Sequence, residues 1–299
     1  MDCPWQPGQA VQIDAGLRLV LAPNPSPMTY WGTNTFVIGT GQVAVLDPGP
    51  AIPRHLEAIL AALAPGERIS HIIVTHPHLD HSPLARPLAE ATGAPVLAYG
   101  AAGSGISARM AGLEGIGGAE GVDASFAPDA CLADGDRLSG PDWHLEVLHS
   151  PGHMGSHICL AEGTRLFSGD HLMGWAPSLV SPPEGDMTDY LAALERLGRR
   201  PWSRAFPAHG LPIEDPAPRI AELLAHRRMR EAQILAVLND GPMGIDDLLM
   251  KVYAETPAPL LPAARRNLLA HLIDLVHANR VAHSAPELTH GKFHNVASR

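Results

Sequence analysis

The chain has 299 residues, 45% of them hydrophobic, enough to build a sizeable core as one large domain or a large domain with a small one. Its formal net charge of −10 argues against a strong non-specific hold on nucleic acid or anionic lipid, because such binding needs Lys and Arg to neutralise phosphates. Cys3, Cys131 and Cys159 are odd in number and far apart, so neither a disulfide framework nor a thiolate zinc knuckle is indicated. The N-terminus has no basic stretch followed by an apolar one, and no apolar run approaches the ~20 residues that cross a bilayer, so a soluble, cytoplasmic protein with no membrane partner is expected. The acidity is uneven: residues 1–219 carry 12 Lys and Arg against 23 Asp and Glu, and residues 220–299 carry 9 against 8, which leaves room for a basic face in the second part.

In chain order, residues 11–21 and 35–47 hold short β-like runs ("LRLVLA", "TFVIG", "VAVLD") between Gly and Pro turns, which predicts paired strands. Pro53 and the helical spacing of Leu56, Ile59, Leu60 and Leu63 predict a helix over 53–64. "HIIVTH" reads as a buried strand, "SPLARPLAEATG" as a helix ended by Gly93 and "PVLAY" as another strand. Residues 101–125, rich in Gly, Ala and Ser, read as a long surface loop of the kind that covers a site. Strands resume at "HLEVLHS", "HICLAE" and "RLFSGD", a helix spans 187–198, and "RAFPAHG" is a short strand. Beyond "PIEDPAP" the pattern turns helical at 218–239, 244–254 and 261–279, followed by a short β-like hairpin, a unit resembling a winged helix. The Pro-rich segment 212–218 marks the expected boundary between domains at 1–215 and 216–299, although a long helix could bridge it.

The chemistry concentrates in "VTHPHLDHS" at 74–82, where His76, His78, Asp80 and His81 follow a strand directly. Neutral imidazole and carboxylate both ligate zinc, and a strand end holds such ligands rigidly. His76 and His78 could point to one side and Asp80 and His81 to another, a division that suits two metals better than one. Two or three local ligands leave such sites incomplete, so further His or Asp residues should end later strands. His153 in "SPGHMGSH", Asp170 in "FSGDH" and His209 in "PAHG" each follow a strand, a recurrence that a chance cluster of turn-capping histidines would not produce.

The ordered set HxHxDH, His153, Asp170 and His209 resembles the metallo-β-lactamase superfamily. The resemblance implies an α/β (α+β) fold, a four-layer αβ/βα sandwich followed by a small winged-helix-like domain. It further implies that His76, His78 and His153 hold one metal, that Asp80, His81 and His209 hold the second, and that Asp170 bridges both. Two zinc ions per chain are expected, with iron or manganese as substitutes. About 3.5 Å apart, two such ions lower the pKa of a shared water and polarise the substrate oxygen. Asp80 would orient the resulting nucleophile as a catalytic residue. The cysteine that replaces one ligand in some true β-lactamases is absent, which makes antibiotic hydrolysis a poor first expectation.

"GTNTFVIG", "LDPGP", "SPGHMGSHICL", "FSGDHLMG", "HRRMREAQIL" and "NLLAHLIDLVHANRV" narrow the resemblance to the β-lactamase-like protein 2 subfamily over nearly the whole chain. That subfamily includes an endoribonuclease acting on single-stranded RNA, so the expected partner is single-stranded RNA or a small-molecule substrate. A glyoxalase II-like thioesterase, or another small ester or lactone hydrolase, is the alternative. His157, at the PGHxxxH spacing, is expected either to contact substrate as a catalytic residue or to support the ligands from behind. His171 reads as a structural neighbour of Asp170, and Asp47 in "LDPG" as an anchor of the metal loop or a turn cap. His55, His144, His226 and His271 read as surface or satisfied core residues, and Arg227, Arg228 and Arg230 as a solvated helix face. For RNA, Arg227, Arg228, Arg265 and Arg266 are the first candidates for phosphate contacts.

Overall fold

The computed structural model describes residues 2–113, 115–285 and 287–296. Its first sheet runs in chain order through β1 (Ala10–Asp14), β2 (Leu17–Leu21), β3 (Asn34–Ile38), β4 (Gln42–Leu46), β5 (Arg68–Ile73), β6 (Val96–Ala98) and β7 (Ala130–Cys131). The first four strands pair antiparallel, and β4 to β7 are parallel. The second sheet contains β8 (Arg137–Ser139), β9 (His144–His149), β10 (Ile158–Glu162), β11 (Arg165–Gly169), β12 (Arg204–Pro207) and β13 (Ile213–Glu214), again in sequence order across the sheet.

Period-two alternation assigns each strand's side chains to a layer. Leu17, Leu19, Leu21, Phe36, Ile38 and Leu46 face the second sheet and meet Leu145, Val147, Ile158, Leu160, Phe167 and Phe206 in one buried cluster. Each such residue contributes roughly 1.5–3 kcal/mol by leaving water. The alternate residues Val20, Val37, Val43, Val45 and Ile72 pack with Ile59 of α1 (Pro53–Ala61) and Ala85 and Leu88 of α2 (Ala85–Thr92). On the far side, Leu194 and Leu197 of α4 (Met187–Leu197) cover the second sheet together with Ile220 and Leu223 of α5 (Pro216–Leu238). Helix, sheet, sheet and helix form the expected four layers.

The C-terminal unit packs α6 (Ile245–Val252), α7 (Leu261–His277) and the hairpin β14 (Val281–His283) and β15 (Phe293–Asn295) on the second half of α5, through Ile234 and Leu238. One 23-residue helix therefore enters two cores, Ile220 and Leu223 in one and Ile234 and Leu238 in the other. Residues 101–125 do more than cross the surface: α3 (Ala108–Ala111) supplies Met110, and Ile116 follows, both buried in the C-terminal core. Two isolated apolar residues in a Gly-rich stretch carry no periodicity, which is why the anchoring is invisible in the sequence. Among the described residues, no helix is long and apolar enough to cross a membrane, and the three cysteines are free.

Candidate metal centre and cleft

Every predicted donor lies in a loop that leaves one end of the two sheets. His76, His78, Asp80 and His81 follow β5, His153 lies between β9 and β10, Asp170 follows β11 and His209 follows β12. The two sheets are tied at this end, where the carbonyl of Thr75 accepts the Ile158 N–H at 3.0 Å. Asn34 of β3 donates its side-chain amide to Pro207 O at 3.0 Å and Gly210 O at 2.9 Å, fixing the turn that presents His209.

Two donor groups result, His76, His78, His153 and Asp170 in one and Asp80, His81 and His209 in the other, with the donor atoms of each group within 4.8 Å of one another. In the first, His76 Nε2 and His78 Nδ1 are 2.9 Å apart, and His153 Nε2 is 3.2 Å from each. Nitrogen donors around a single zinc are spaced roughly 3.4 Å apart at ordinary Zn–N lengths. Asp170 stands between the groups: its Oδ2 is 3.7 Å from His153 Nε2 and 3.6 Å from His81 Nε2, and its Oδ1 is 3.3 Å from His209 Nε2. Asp80 Oδ2 is 3.1 Å from His209 Nε2 and 3.3 Å from His81 Nε2.

Burial and mutual repulsion keep His76 well below its ordinary pKa, burial and His153 take His78 down to about 3, and burial lowers His153 as well. Three neutral imidazoles thus turn lone pairs toward one point. At the second group burial again opposes protonation, but Asp80, Asp170 and Asp47 outweigh it and hold His81 well above its usual value, while Asp170 and Asp80 raise His209 to about 10. Burial likewise disfavours the Asp80 and Asp170 carboxylates, yet the facing histidines hold both well below the usual range. The carboxylates therefore call for positive charge. The buried atoms His81 Nε2, His209 Nε2 and Asp170 Oδ1 have no aligned hydrogen-bond partner. Orphaned, convergent donors of this chemistry fit cations.

The other face of each ligand is held by the chain. His153 Nδ1 donates to Leu179 O at 2.6 Å and His209 Nδ1 to Gly32 O at 3.1 Å, which leaves Nε2 to face the site. Asp47, with a left-handed φ of 49°, accepts the Thr75 N–H at 2.7 Å and the Thr75 hydroxyl at 2.8 Å and lies 3.1 Å from His81 Nδ1. Strain at that turn is offset by these bonds, which orient the motif loop from behind. His157 is fully buried and its Nε2 accepts the Asp170 N–H at 3.2 Å. Gly169 makes this approach possible, since a Cβ there would sit 2.5 Å from His157 Nε2. His171 is buried against Tyr190 at a ring separation of 4.7 Å.

The donors open onto a cavity of about 540 Å³. His78, Asp80, His153 and Asp170 line it together with the apolar side chains of Met28, Leu79, Met173, Trp175, Pro177 and Leu179. The C-terminal unit adds His226, Arg227, Arg230, Tyr253, Leu260 and Asn267 to the lining, and of these the sequence singles out Arg227 alone, as a phosphate contact for RNA. Trp175 is braced by Tyr30, stacked at 4.8 Å. Of the four arginines expected to meet phosphate, Arg227 alone lines the cavity. Arg227 is buried and donates to Asn267 and Ser178, Arg228 pairs with Glu195 at 2.9 Å, Arg265 with Asp246 at 2.7 Å, and Arg266 donates to Ser181 at 2.9 Å and to the carbonyls of Ile116 and Gly117.

Residues 28–209 match the metallo-beta-lactamase superfamily, and residues 245–287 match the beta-lactamase associated winged helix domain. A beta-lactamase-like protein 2 homolog of Drosophila melanogaster is 31% identical, the alignment covering 92% of this chain and 94% of that protein. An atrochrysone carboxyl ACP thioesterase of Claviceps purpurea is 29% identical over 82% of this chain and 74% of its own length. In fold, the chain is similar to a β-lactamase domain protein from Burkholderia ambifaria, with a TM-score of 0.81 and 22% identity over 98% of this chain and 96% of that one. With the donor arrangement and both domain matches in hand, the chain belongs to the metallo-β-lactamase superfamily, as a metal-dependent hydrolase that carries the associated winged-helix domain.

Proposed function

We propose that the protein is a two-metal hydrolase of a small acyl ester or thioester. The observation that carries this is the junction of the donor cluster with a cavity lined by Met28, Leu79, Met173, Trp175, Pro177 and Leu179, a lining suited to an acyl chain. The thioesterase named among the relatives supports the same choice. The single-stranded RNA reading ranks second because three of its four arginines, Arg228, Arg265 and Arg266, are bonded within the protein and do not line the cavity. In this proposal residues 1–215 carry the ligands and residues 216–299 wall the cleft, with α5 shared between them, and the cytoplasm remains the expected location.

His76, His78 and His153 would hold one metal, Asp80, His81 and His209 the other, and Asp170 both. Zinc bound there lowers the pKa of a coordinated water toward neutrality and polarises a carbonyl oxygen; iron or manganese would find the same donors. Asp80, partly exposed at the cavity wall and held ionised, accepts a hydrogen bond from the attacking water and orients it. His157 fixes the Asp170 backbone and so acts by positioning. The apolar wall around Trp175 and Leu179 holds the acyl chain and keeps bulk water away.

The test is a substrate series of an aliphatic thioester, a lactone, a bis-aryl phosphodiester and single-stranded RNA, each with a His78→Ala control. Turnover of thioester or lactone that His78→Ala abolishes is expected. Cleavage of RNA without acyl turnover would overturn the acyl assignment.

A further inference from the structure

The end of the cavity farthest in sequence from the donor loops holds an imbalance of charge. Arg227 and Arg230 lie one turn apart on α5, both line the cavity, and neither pairs with a carboxylate among the described residues. Arg227 is 2% exposed, yet its Nε has no hydrogen-bond partner; its Nη atoms donate to neutral groups, Asn267 Oδ1 at 3.2 Å and Ser178 O, and its guanidinium lies 5.1 Å from the Tyr190 ring. Arg230 repeats the arrangement: its Nε is buried and unpartnered, one Nη donates to Gln233 at 2.9 Å and to Val252 O, and the group stands 4.1 Å over Tyr253. His226 lines the same wall with Nδ1 unpartnered, and behind it buried His271 has an unpartnered Nε2. Glu222, which acts on His226, is already paired with Arg219 at 2.9 Å. The carboxylates of the cavity itself, Asp80, Asp170 and Glu120, stand with the motif loop at the donor end.

Buried guanidinium without a counter-charge is costly, and orphaned donors on a cavity wall call for an acceptor. Arginine matches the planar oxygens of carboxylate and phosphate better than any neutral group. We propose that the α5 wall of the cleft is an oxyanion subsite, in which Arg230, Arg227 and His226 receive a carboxylate or phosphate that the substrate carries apart from its scissile bond. This rests on the assignment of the cleft to an acyl hydrolase and narrows its substrate class to acyl esters or thioesters that bear an anionic group.

Two measurements separate the subsite from that assignment. Calorimetric titration with inorganic phosphate and with glutarate, on intact metal-loaded protein, reads binding directly and distinguishes the two oxyanions. Affinity for at least one should fall roughly tenfold or more in Arg230→Gln, recover in part in Arg230→Lys, and persist in His78→Ala. Equal binding by wild type and Arg230→Gln would overturn the subsite, as would binding that disappears with His78→Ala alone. In the second arm, kcat/KM is compared for two thioesters of equal length ending in a carboxylate or its methyl ester. The wild type should prefer the carboxylate by roughly tenfold to a hundredfold, and Arg230→Gln should bring the ratio toward unity. No preference in the wild type would count against the proposal; if neither thioester is turned over, the acyl-hydrolase assignment fails and the titration alone decides the subsite.

Discussion

Two walls of one cleft carry opposite charge. In the donor loops Asp170 and Asp80 overcome burial and raise His209 to about 10, and His81 follows. Behind the α5 wall burial, with Arg227 and Arg230 adding to it, takes His271 down to about 3. The carboxylates of the donor loops favour cations, and the guanidiniums of α5, without a paired carboxylate among the described residues, favour anions. Under the proposed subsite the group to be attacked belongs at the carboxylates and a negative group at the arginines.

Removing the charge between the two donor groups should break the comparison most severely. Asp170→Ala is expected to lower kcat by about a thousandfold or more, because under the proposed assignment both metals lose a ligand; steady-state assays with metal in excess check this. The next effect lies at the other end. His271 has a folded pKa near 3 against 6.5 unfolded, so as pH falls below 6.5 the unfolded chain takes up the proton first and stability is lost progressively down to about pH 3. The full loss amounts to roughly 5 kcal/mol at 1.36 kcal/mol per unit. Urea unfolding of wild type and His271→Asn between pH 7 and pH 4 should show a shallower acid limb in the variant, and equal slopes would remove His271 from the account. Asp47→Asn weakens the brace behind the motif loop and should cost about 10- to 100-fold in metal affinity, read by competition with a chelator. Smallest is Trp175→Ala, which should raise KM for a long acyl thioester several-fold, more than it lowers kcat, because it removes apolar wall and no ligand.

The donor end was legible in the sequence and the arginine end was not, for a physical reason. Ligands at strand ends come in short local patterns, so HxHxDH and the strand-then-turn contexts of His153, Asp170 and His209 carry their chemistry on their face. The four layers were legible too, since alternation in "LRLVL" and "NTFVI" assigns each side chain to a face. Arg227 and Arg230, by contrast, look in sequence like a charged, solvated helix face, and only packing buries Arg227 against Tyr190 and half-buries Arg230 over Tyr253. His226 and His271 lie on helix faces without matching partners in the sequence, so they read as surface or satisfied core residues. Met110 and Ile116 lacked periodicity, so their anchoring in the C-terminal core depended on long-range contacts that no local pattern records. Asp47 was open to two roles, and only the fold brings it to Thr75 and His81 across 28 and 34 residues.

The central claim, that the seven donors form one two-metal centre, is tested most directly by native mass spectrometry of the protein titrated with zinc. The predicted result is two equivalents per chain at saturation in the wild type and fewer in His78→Ala and His209→Ala, with turnover tracking the second equivalent. Saturation at one equivalent or none, or full occupancy in both variants, would contradict it.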